Sequence, residues 1–200
     1  MHDGHPTRAR FLERLLEPVF HVRRYDVLEL DLGWVREAAA PEGVEIRAFG
    51  EADWAALDAA CGRRTRTWLR RWVPRGLRGF VAMRAGRLVG HGWYGRGAVP
   101  QPHLYPGPLP ADAIVLPWVW VAPAERGRGV ASALLAARVA EARAAGCRRA
   151  WIAIRRGNEG PLRELARACG GLTPRRLGAL TLLRVLGVRR RGWRPAGTSS

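Results

Sequence analysis

Lysine is absent from this chain of 200 residues, and acidic residues are scarce. All 34 basic side chains are arginines, against 17 aspartates and glutamates, so the formal net charge is +17 at pH 7. Arginine without lysine is typical of a GC-rich genome. An excess of positive charge is also what an anionic partner attracts, such as a coenzyme, a nucleic acid or a membrane surface. Because the arginines are spread along the whole chain, we do not expect nucleic acid to be that partner.

Cysteines and long apolar runs are scarce as well. The three cysteines, at positions 61, 147 and 169, form neither a CxxC pair nor a disulfide framework, so we expect free thiols and no metal site. No apolar run approaches the roughly 18 residues that a membrane span needs. The polar N-terminal residues are not followed by the apolar region of a signal peptide. These absences predict a cytoplasmic protein.

Hydrophobic periodicity divides the chain into an extension, a core domain and a tail. Residues 7–20 predict a helix that Pro18 ends, and residues 24–32 predict a strand. This extension is either an additional layer on the core or a homodimer contact. From Val188 onward, arginine and then small polar residues predict disorder. The predicted units are 1–40 as a helix–strand extension, 41–188 as the core domain and 189–200 as a basic disordered tail.

The first half of the core domain predicts a strand, two helices and a hairpin. The two short helices are ended by Gly62 and Pro74, and Ala85-Gly86 joins the two arms of the hairpin. Residues 95–112 then hold five prolines and three glycines, which predicts a long loop. That loop is either a flexible insertion or a lid over the acceptor site, with His103 and Tyr105 near its tip.

The stretch from Leu116 to Gly146 combines a strand, a glycine-rich turn and an alanine-rich helix. A turn of this kind directs the free backbone N–H groups of a helix N-terminus towards an anion. Gly127 and Gly129 permit positive φ angles and close approach of a phosphate. The sequence therefore predicts an anion-binding turn between Val121 and the helix.

Two further strands and a helix complete the order of elements. Residues 148–155 predict a strand, Asn158 lies near the start of the next helix, and residues 179–186 predict a last strand. Strands alternating with helices in this order predict an α/β (mixed α+β) fold with a central mixed sheet and helices on both faces.

This order of elements, together with the turn, resembles the GNAT N-acetyltransferase superfamily. The signature of that family, Gln/Arg-x-x-Gly-x-Gly/Ala at a strand-to-helix turn, corresponds to Arg126–Ala131, and an asparagine after the next strand corresponds to Asn158. The resemblance covers residues 43–187. It implies a GNAT-type acyl-CoA N-acyltransferase fold, acetyl-CoA or another acyl-CoA as the acyl-donating cosubstrate, and transfer to an amine by direct attack.

The resemblance also implies a set of residues that bind the acyl-CoA. The backbone of the turn would hold the pyrophosphate, the strand before it would pair with the pantetheine amides, and the asparagine would contact the pantetheine arm. Carried over residue by residue, the pyrophosphate group is Arg126, Gly127, Arg128, Gly129, Val130 and Ala131, and the pantetheine group is Val119, Trp120, Val121 and Asn158.

The chain departs from the family in its acid and base. GNAT enzymes often use a tyrosine on the helix after the asparagine and a carboxylate on the strand before the signature. Residues 156–175 contain no tyrosine, and Asp112 lies only at the start of that strand. The candidate catalytic residues are therefore His91, which titrates near neutral pH, Tyr94 and Asp112. A structural role for His91, and a water-mediated route in which the enzyme mainly positions its substrates, are the alternatives.

The acceptor is not specified by the sequence beyond an amine of a small molecule or peptide. Trp68, Trp118 and Trp120 indicate either an aromatic pocket or ordinary core packing. Two classes of function stay open: an N-acetyltransferase, or a non-catalytic module that binds acyl-CoA, nucleic acid or another partner through a GNAT-like fold.

Overall fold

The computed structural model describes residues 20–97, 100–185 and 188–197. The strands are β1 (Phe20–Asp31), β2 (Glu45–Ala48), β3 (Leu77–Arg84), β4 (Arg87–Gly95), β5 (Ala113–Val121), β6 (Arg149–Arg155), β7 (Arg175–Val185) and β8 (Val188–Pro195). The helices are α1 (Trp54–Trp72), α2 (Val130–Ala144) and α3 (Glu159–Ala168). The strands form one sheet in the order β2-β3-β4-β5-β6-β1-β7-β8. The helix predicted over residues 7–20 lies, apart from its last residue, outside the described part of the chain.

Helices lie on both faces of this sheet, which confirms the predicted fold class. The face under α2 and α3, here the α2/α3 face, buries a cluster that includes Leu30, Ile114, Leu135 and Leu165. The opposite face, here the α1 face, is covered by α1 over β3 and β4. No helix in the described residues is long and apolar enough to cross a membrane.

Two local predictions in the first half of the domain are confirmed. Gly62 has φ 77° and ψ 169°, so α1 consists of two helical segments that meet at a kink. Ala85 and Gly86 both have positive φ angles, 47° and 73°, which is the conformation of a type I′ hairpin turn between β3 and β4.

The proline-rich loop packs on the α1 face of the sheet. Leu104 and Tyr105 are buried against Val27, Val115 and Trp151, and the Tyr105 ring stacks on the Trp151 ring with centroids 6.1 Å apart. The loop is irregular, but Leu104 and Tyr105 belong to the core, so this part of it is neither a flexible insertion nor a lid.

The N-terminal strand lies inside the sheet. β1 pairs antiparallel with β6 on one side and β7 on the other. Val27 packs on the α1 face, whereas Leu28 and Leu30 pack on the α2/α3 face, as a strand covered on both faces requires. The prediction of an additional layer or dimer contact is therefore wrong for this strand, which completes the core.

The arginine-rich C-terminal segment also differs from the prediction. Residues 188–195 form β8, an edge strand paired antiparallel with β7, where a disordered tail was predicted. The Trp193 ring lies over Gly178, where a Cβ atom would come within 2.6 Å of it. This segment is ordered despite its charge because it pairs with β7 and because the Trp193 ring packs where Gly178 of β7 has no side chain.

Candidate active site

β5 and β6 are parallel neighbours that pair over only part of their length. The pairs are Ala113 with Arg149, Ile114 with Ala150 and Val115 with Trp151. Beyond Val115, β5 continues to Val121 without a described partner on that side, and its residues 117–121 are all half-buried. The two strands therefore enclose an opening, narrow at Val115 and wide at their C-terminal ends.

A β-bulge lies at the narrow end of this opening. Trp93 of β4 pairs with Trp118, but Gly95 pairs with Val115, so that Leu116 and Pro117 lie opposite the single residue Tyr94. Proline has no N–H group to donate to a ladder, and a bulge is one of the few sheet positions that accept it. The bulge breaks the regular ladder where the parallel pairing ends.

The β5 ladder also determines which amides face the opening. The Ala122 N–H donates to the Val89 carbonyl at 2.8 Å, and hydrogen-bonded pairs alternate along an antiparallel ladder. The amides of Val119 and Val121 therefore point away from β4 and into the opening. Trp120 was predicted to pair with the same ligand arm, but its amide points towards β4.

The glycine-rich turn stands at the wide end of the opening. Gly127 and Gly129 have φ angles of 77° and 89°, and α2 begins directly afterwards at Val130. Residues 126–129 are exposed, and the first N–H groups of a helix have no intrahelical partner. The Arg126 Nε atom donates to the Val121 carbonyl at 3.3 Å, which holds this guanidinium at the mouth of the opening.

A partly buried ion pair fixes the segment that leads into this turn. Glu125 is buried, and its carboxylate lies 3.1 Å from the Arg84 Nε atom at the end of β3. Arg84 also donates to the Glu42 carbonyl at 2.9 Å. Sequence reasoning missed this pair because the two residues are 41 positions apart. No local signal in the sequence identifies it.

Asn158 lies across the opening, just after β6. It occupies the N-cap position of α3 and is exposed, but its side chain makes no capping hydrogen bond. Its backbone N–H donates to the Arg155 carbonyl at 3.0 Å. Asn158 therefore lies at the start of α3, as predicted, but its side-chain amide does not cap that helix.

His91 is fully buried in an aromatic cage on the α1 face. Its ring stacks on Trp120, and its Nδ1 atom accepts from Trp93 Nε1 at 2.9 Å. Because indole only donates, the neutral ring carries its proton on Nε2, which faces the Cys61 sulfur at 3.4 Å. Burial, with a smaller contribution from the charge of Arg138, lowers the pKa of His91 to about 4. This geometry leaves His91 no free lone pair for a substrate.

The other two catalytic candidates point away from the opening. Burial raises the pKa of Tyr94 to about 12, and its hydroxyl interacts with Glu141 and with Arg78 of β3, on the far side of β4. Asp112 precedes β5, at the end opposite to the glycine turn. It accepts from Arg149 Nη2 at 2.9 Å, and this hydrogen bond lowers the pKa of the carboxyl. The structure does not bring these two candidates together with His91.

Gly90 and Gly92, on either side of His91, make room for α2. A Cβ atom at Gly90 would lie 3.1 Å from Leu134, and one at Gly92 would lie 2.8 Å from the Arg138 guanidinium. Arg138 is buried, and it donates to the Leu134 and Trp93 carbonyls. Burial lowers its pKa to about 10. In the sequence, the only sign of this close packing of α2 on β4 is the pair of glycines at positions 90 and 92.

A mixed sheet with an opened parallel pair, and a glycine-rich turn and helix N-terminus at its open end, defines the class of α/β fold to which this protein belongs. Residues 46–170 match the family described as Acetyltransferase (GNAT) family, and the chain belongs to that family. Its membership confirms the resemblance seen in the sequence.

Solved structures of this family share the fold. A GCN5-related N-acetyltransferase from Sphaerobacter thermophilus is 21% identical with a TM-score of 0.56, covering 98% of this chain and 59% of that protein. A tandem GNAT protein from the clavulanic acid biosynthesis pathway is 18% identical with a TM-score of 0.56, covering 98% and 61%. The chain thus spans about three fifths of the length of either protein.

A third structure matches over most of its own length. The aminoglycoside N-acetyltransferase AAC(6')-Iy, in complex with CoA, is 21% identical with a TM-score of 0.51, covering 63% of this chain and 90% of that protein. No curated protein sequence matches the chain. At these identities the likeness establishes the fold.

Proposed function

We propose that this protein is an N-acetyltransferase of the cytoplasm, which transfers the acetyl group of acetyl-CoA to the amine of a small molecule or peptide. The observation that carries the proposal is the opening between β5 and β6, with the glycine-rich turn at its wide end. Family membership supports acyl transfer as the reaction class.

The groups that line the opening support this donor site. The amides of residues 127–131, with the Arg126 and Arg128 side chains, hold the pyrophosphate at the N-terminus of α2. The gap-facing amide of Val121 pairs with an amide of the pantetheine arm, as a neighbouring strand would, and the amide of Val119 faces the thioester. Asn158 contacts the arm from the β6 side.

The gap-facing amides of β5 also support a position for the reacting carbon. An arm that enters beside the turn and extends along β5 towards the bulge passes Val121 and brings its thioester beside Val119. The amine nitrogen attacks the thioester carbonyl carbon, the carbon–sulfur bond breaks, and the leaving thiolate takes up a proton. The Val119 N–H is the proposed donor to the oxyanion, because it is the gap-facing amide nearest the bulge.

Proton transfer in this proposal passes through water, and the protein contributes mainly by positioning its substrates. His91, Tyr94 and Asp112 all have their polar atoms engaged elsewhere. We therefore expect Tyr94→Phe and Asp112→Asn to keep kcat/KM within about tenfold of the parent, well short of the 100-fold or greater loss of a removed acid or base. A 100-fold loss in either variant would assign that residue to the chemistry.

Charge reversal at the turn tests the donor site. Calorimetry with CoA should show binding by the parent protein and none by Arg126→Glu with Gly129→Glu. Any side chain at Gly129 is strained, because its φ angle is 89°, so Arg126→Glu with Arg128→Glu serves as the second variant. The matched control, Arg75→Glu with Arg143→Glu, makes the same charge change at two exposed positions at the opposite end of the sheet from the turn.

The acceptor is tested separately. The parent protein, acetyl-CoA and a panel of amines should release free thiol, and mass spectrometry should find the acetylated amine. Unchanged CoA affinity in both turn variants would refute the site. CoA binding without thiol release from any amine would favour the non-catalytic alternative.

A further inference from the structure

Four arginines surround a cavity on the outer strands of the sheet, on the part of the α2/α3 face that the helices leave uncovered. The cavity has a volume of about 640 Å³ and is lined mainly by β1, β7, β8 and the residue after β6. Its arginines are Arg24, Arg156, Arg176 and Arg194. We propose that this cavity, here the arginine cup, is a binding site for a diphosphate group, separate from the donor site.

Strand register builds the cup. Arg24 of β1 lies opposite Thr181 of β7, which lies opposite Gly192 of β8. In the next row on the same face, Ala179 of β7 lies opposite Arg194 of β8. The central positions of both rows thus carry small side chains, whereas the long arginines stand at the rim. A floor of small residues inside a rim of guanidinium groups is a concave surface of positive charge.

One carboxylate holds two of the four arginines in place. Asp26 accepts from Arg156 Nη2 at 3.1 Å and from Arg176 Nη2 at 2.6 Å. Both guanidinium groups keep further N–H groups for a ligand, because each has five donors. Asp26 therefore orders half of the rim before any ligand binds and neutralises only one of its four charges.

The charge of the cup favours a diphosphate over a single phosphate. Four arginines and Asp26 leave a net charge of +3, whereas a monophosphate ester supplies only about −2 at neutral pH. A diphosphate carries more charge. It also has enough oxygens to accept two parallel N–H···O hydrogen bonds from each of two arginines at once. Guanidinium binds phosphate best in this bidentate geometry. The Thr181 hydroxyl on the floor adds a neutral donor.

Most of the cup lies apart from the donor site, and Arg156, two residues before Asn158, is the part of its rim nearest to that site. Its centre on β7 lies two strand spacings, about 10 Å, from β6 and farther still from β5. The glycine-rich turn lies beyond β6, at the end of β5. Inorganic pyrophosphate and a nucleoside diphosphate share the required chemistry, and the coenzyme's own diphosphate is the third source to be distinguished.

The test is a titration of the whole protein with inorganic pyrophosphate, followed by calorimetry or ³¹P NMR. Arg24→Gln with Arg194→Gln should weaken binding by about tenfold or more, since each removes charge-assisted hydrogen bonds. Arg87→Gln with Arg143→Gln makes the same charge change at exposed positions elsewhere and should leave the affinity unchanged. A nucleoside diphosphate should compete with pyrophosphate for the cup.

Three results would overturn the proposal. An equal loss of pyrophosphate affinity in both double variants would mean that binding depends only on the net charge of the protein. Displacement of pyrophosphate by CoA, together with a lower CoA affinity of Arg24→Gln with Arg194→Gln, would assign the cup to the donor. Absence of pyrophosphate binding, with salt-sensitive binding of a single-stranded oligonucleotide that the same variant abolishes, would make the cup part of a nucleic-acid surface.

Discussion

Gly92 shows how one missing side chain shapes the surroundings of the opening. Its place is filled by the Arg138 guanidinium, which lies 2.8 Å from where a Cβ atom would be. We expect Gly92→Ala to lower the free energy of unfolding by about 1–3 kcal/mol, because the buried arginine must move or lose its hydrogen bonds. Gly107→Ala is the control, since a Cβ there meets nothing within 4 Å. Urea denaturation measures both, and equal stabilities would contradict the packing.

The buried His91 gives the protein a pH-dependent stability. Its pKa is about 4 in the folded state, against an ordinary value of 6.5. Between these two values the unfolded chain binds a proton that the folded chain does not, so stability falls as the pH falls from 6.5 to 4. The loss is on the order of 3 kcal/mol in all. Stability above pH 6.5 does not depend on this group.

Denaturation at pH 7.5 and pH 4.5 isolates this contribution. His91→Gln keeps a side-chain acceptor for the Trp93 N–H but has no titrating ring. The loss of stability between the two pH values should therefore be smaller in His91→Gln than in the parent protein. The same loss in both proteins would show that other groups account for the whole acid response.

Single residues were the hardest features to predict from the sequence. Gly127 and Gly129 were predictable because backbone conformation is local, and their positive φ angles follow from the residue type. Arg138 was not, because nothing local distinguishes a buried arginine from 33 others. Its burial depends on Gly92, which is 46 positions away in sequence and meets it only in the folded sheet.

At the scale of elements, the opening between β5 and β6 makes a prediction about individual amides. The N–H groups of Val119 and Val121 face the opening and should exchange with solvent, whereas those of Trp118 and Trp120 are paired with β4. Addition of CoA should slow the exchange of the two valine amides and leave the two tryptophan amides unchanged. Amide exchange followed by NMR measures this. Equal slowing at all four amides would mean that CoA stabilises the whole sheet and does not bind along β5.

The strand, turn and helix around the signature were predictable because each is a local pattern. The place where β5 leaves β6 was not, since it depends on how β5 pairs with β4 as well. Only Pro117 hinted at the bulge, because a proline within an apolar run argues against a regular central strand. β8 was missed for the opposite reason: its arginines suggested disorder, and its pairing partner β7 was invisible in the local pattern.

At the scale of the whole molecule, β1 connects two parts of the sheet, the strands β2 to β6 on one side and β7 with β8 on the other. It precedes the family match, which begins at residue 46, yet it lies between β6 and β7. The sheet therefore cannot be completed by the matched residues alone. A chain that lacks residues 1–32 would leave β6 and β7 separated by the width of one strand, with unpaired backbone groups on both.

A charge placed on β1 tests whether this strand belongs to the core. Val27 is fully buried and Val22, on the same strand, is 38% exposed. We expect Val27→Asp to lower the free energy of unfolding by at least about 3 kcal/mol, because its carboxylate would be buried without a partner. Val22→Asp makes the same chemical change and should cost less than about 1 kcal/mol. If β1 were a detachable layer, both variants and the chain without residues 1–32 would denature at the same urea concentration as the parent. A cooperative loss of the whole sheet in Val27→Asp alone is the result that the pairing of β1 with both β6 and β7 requires.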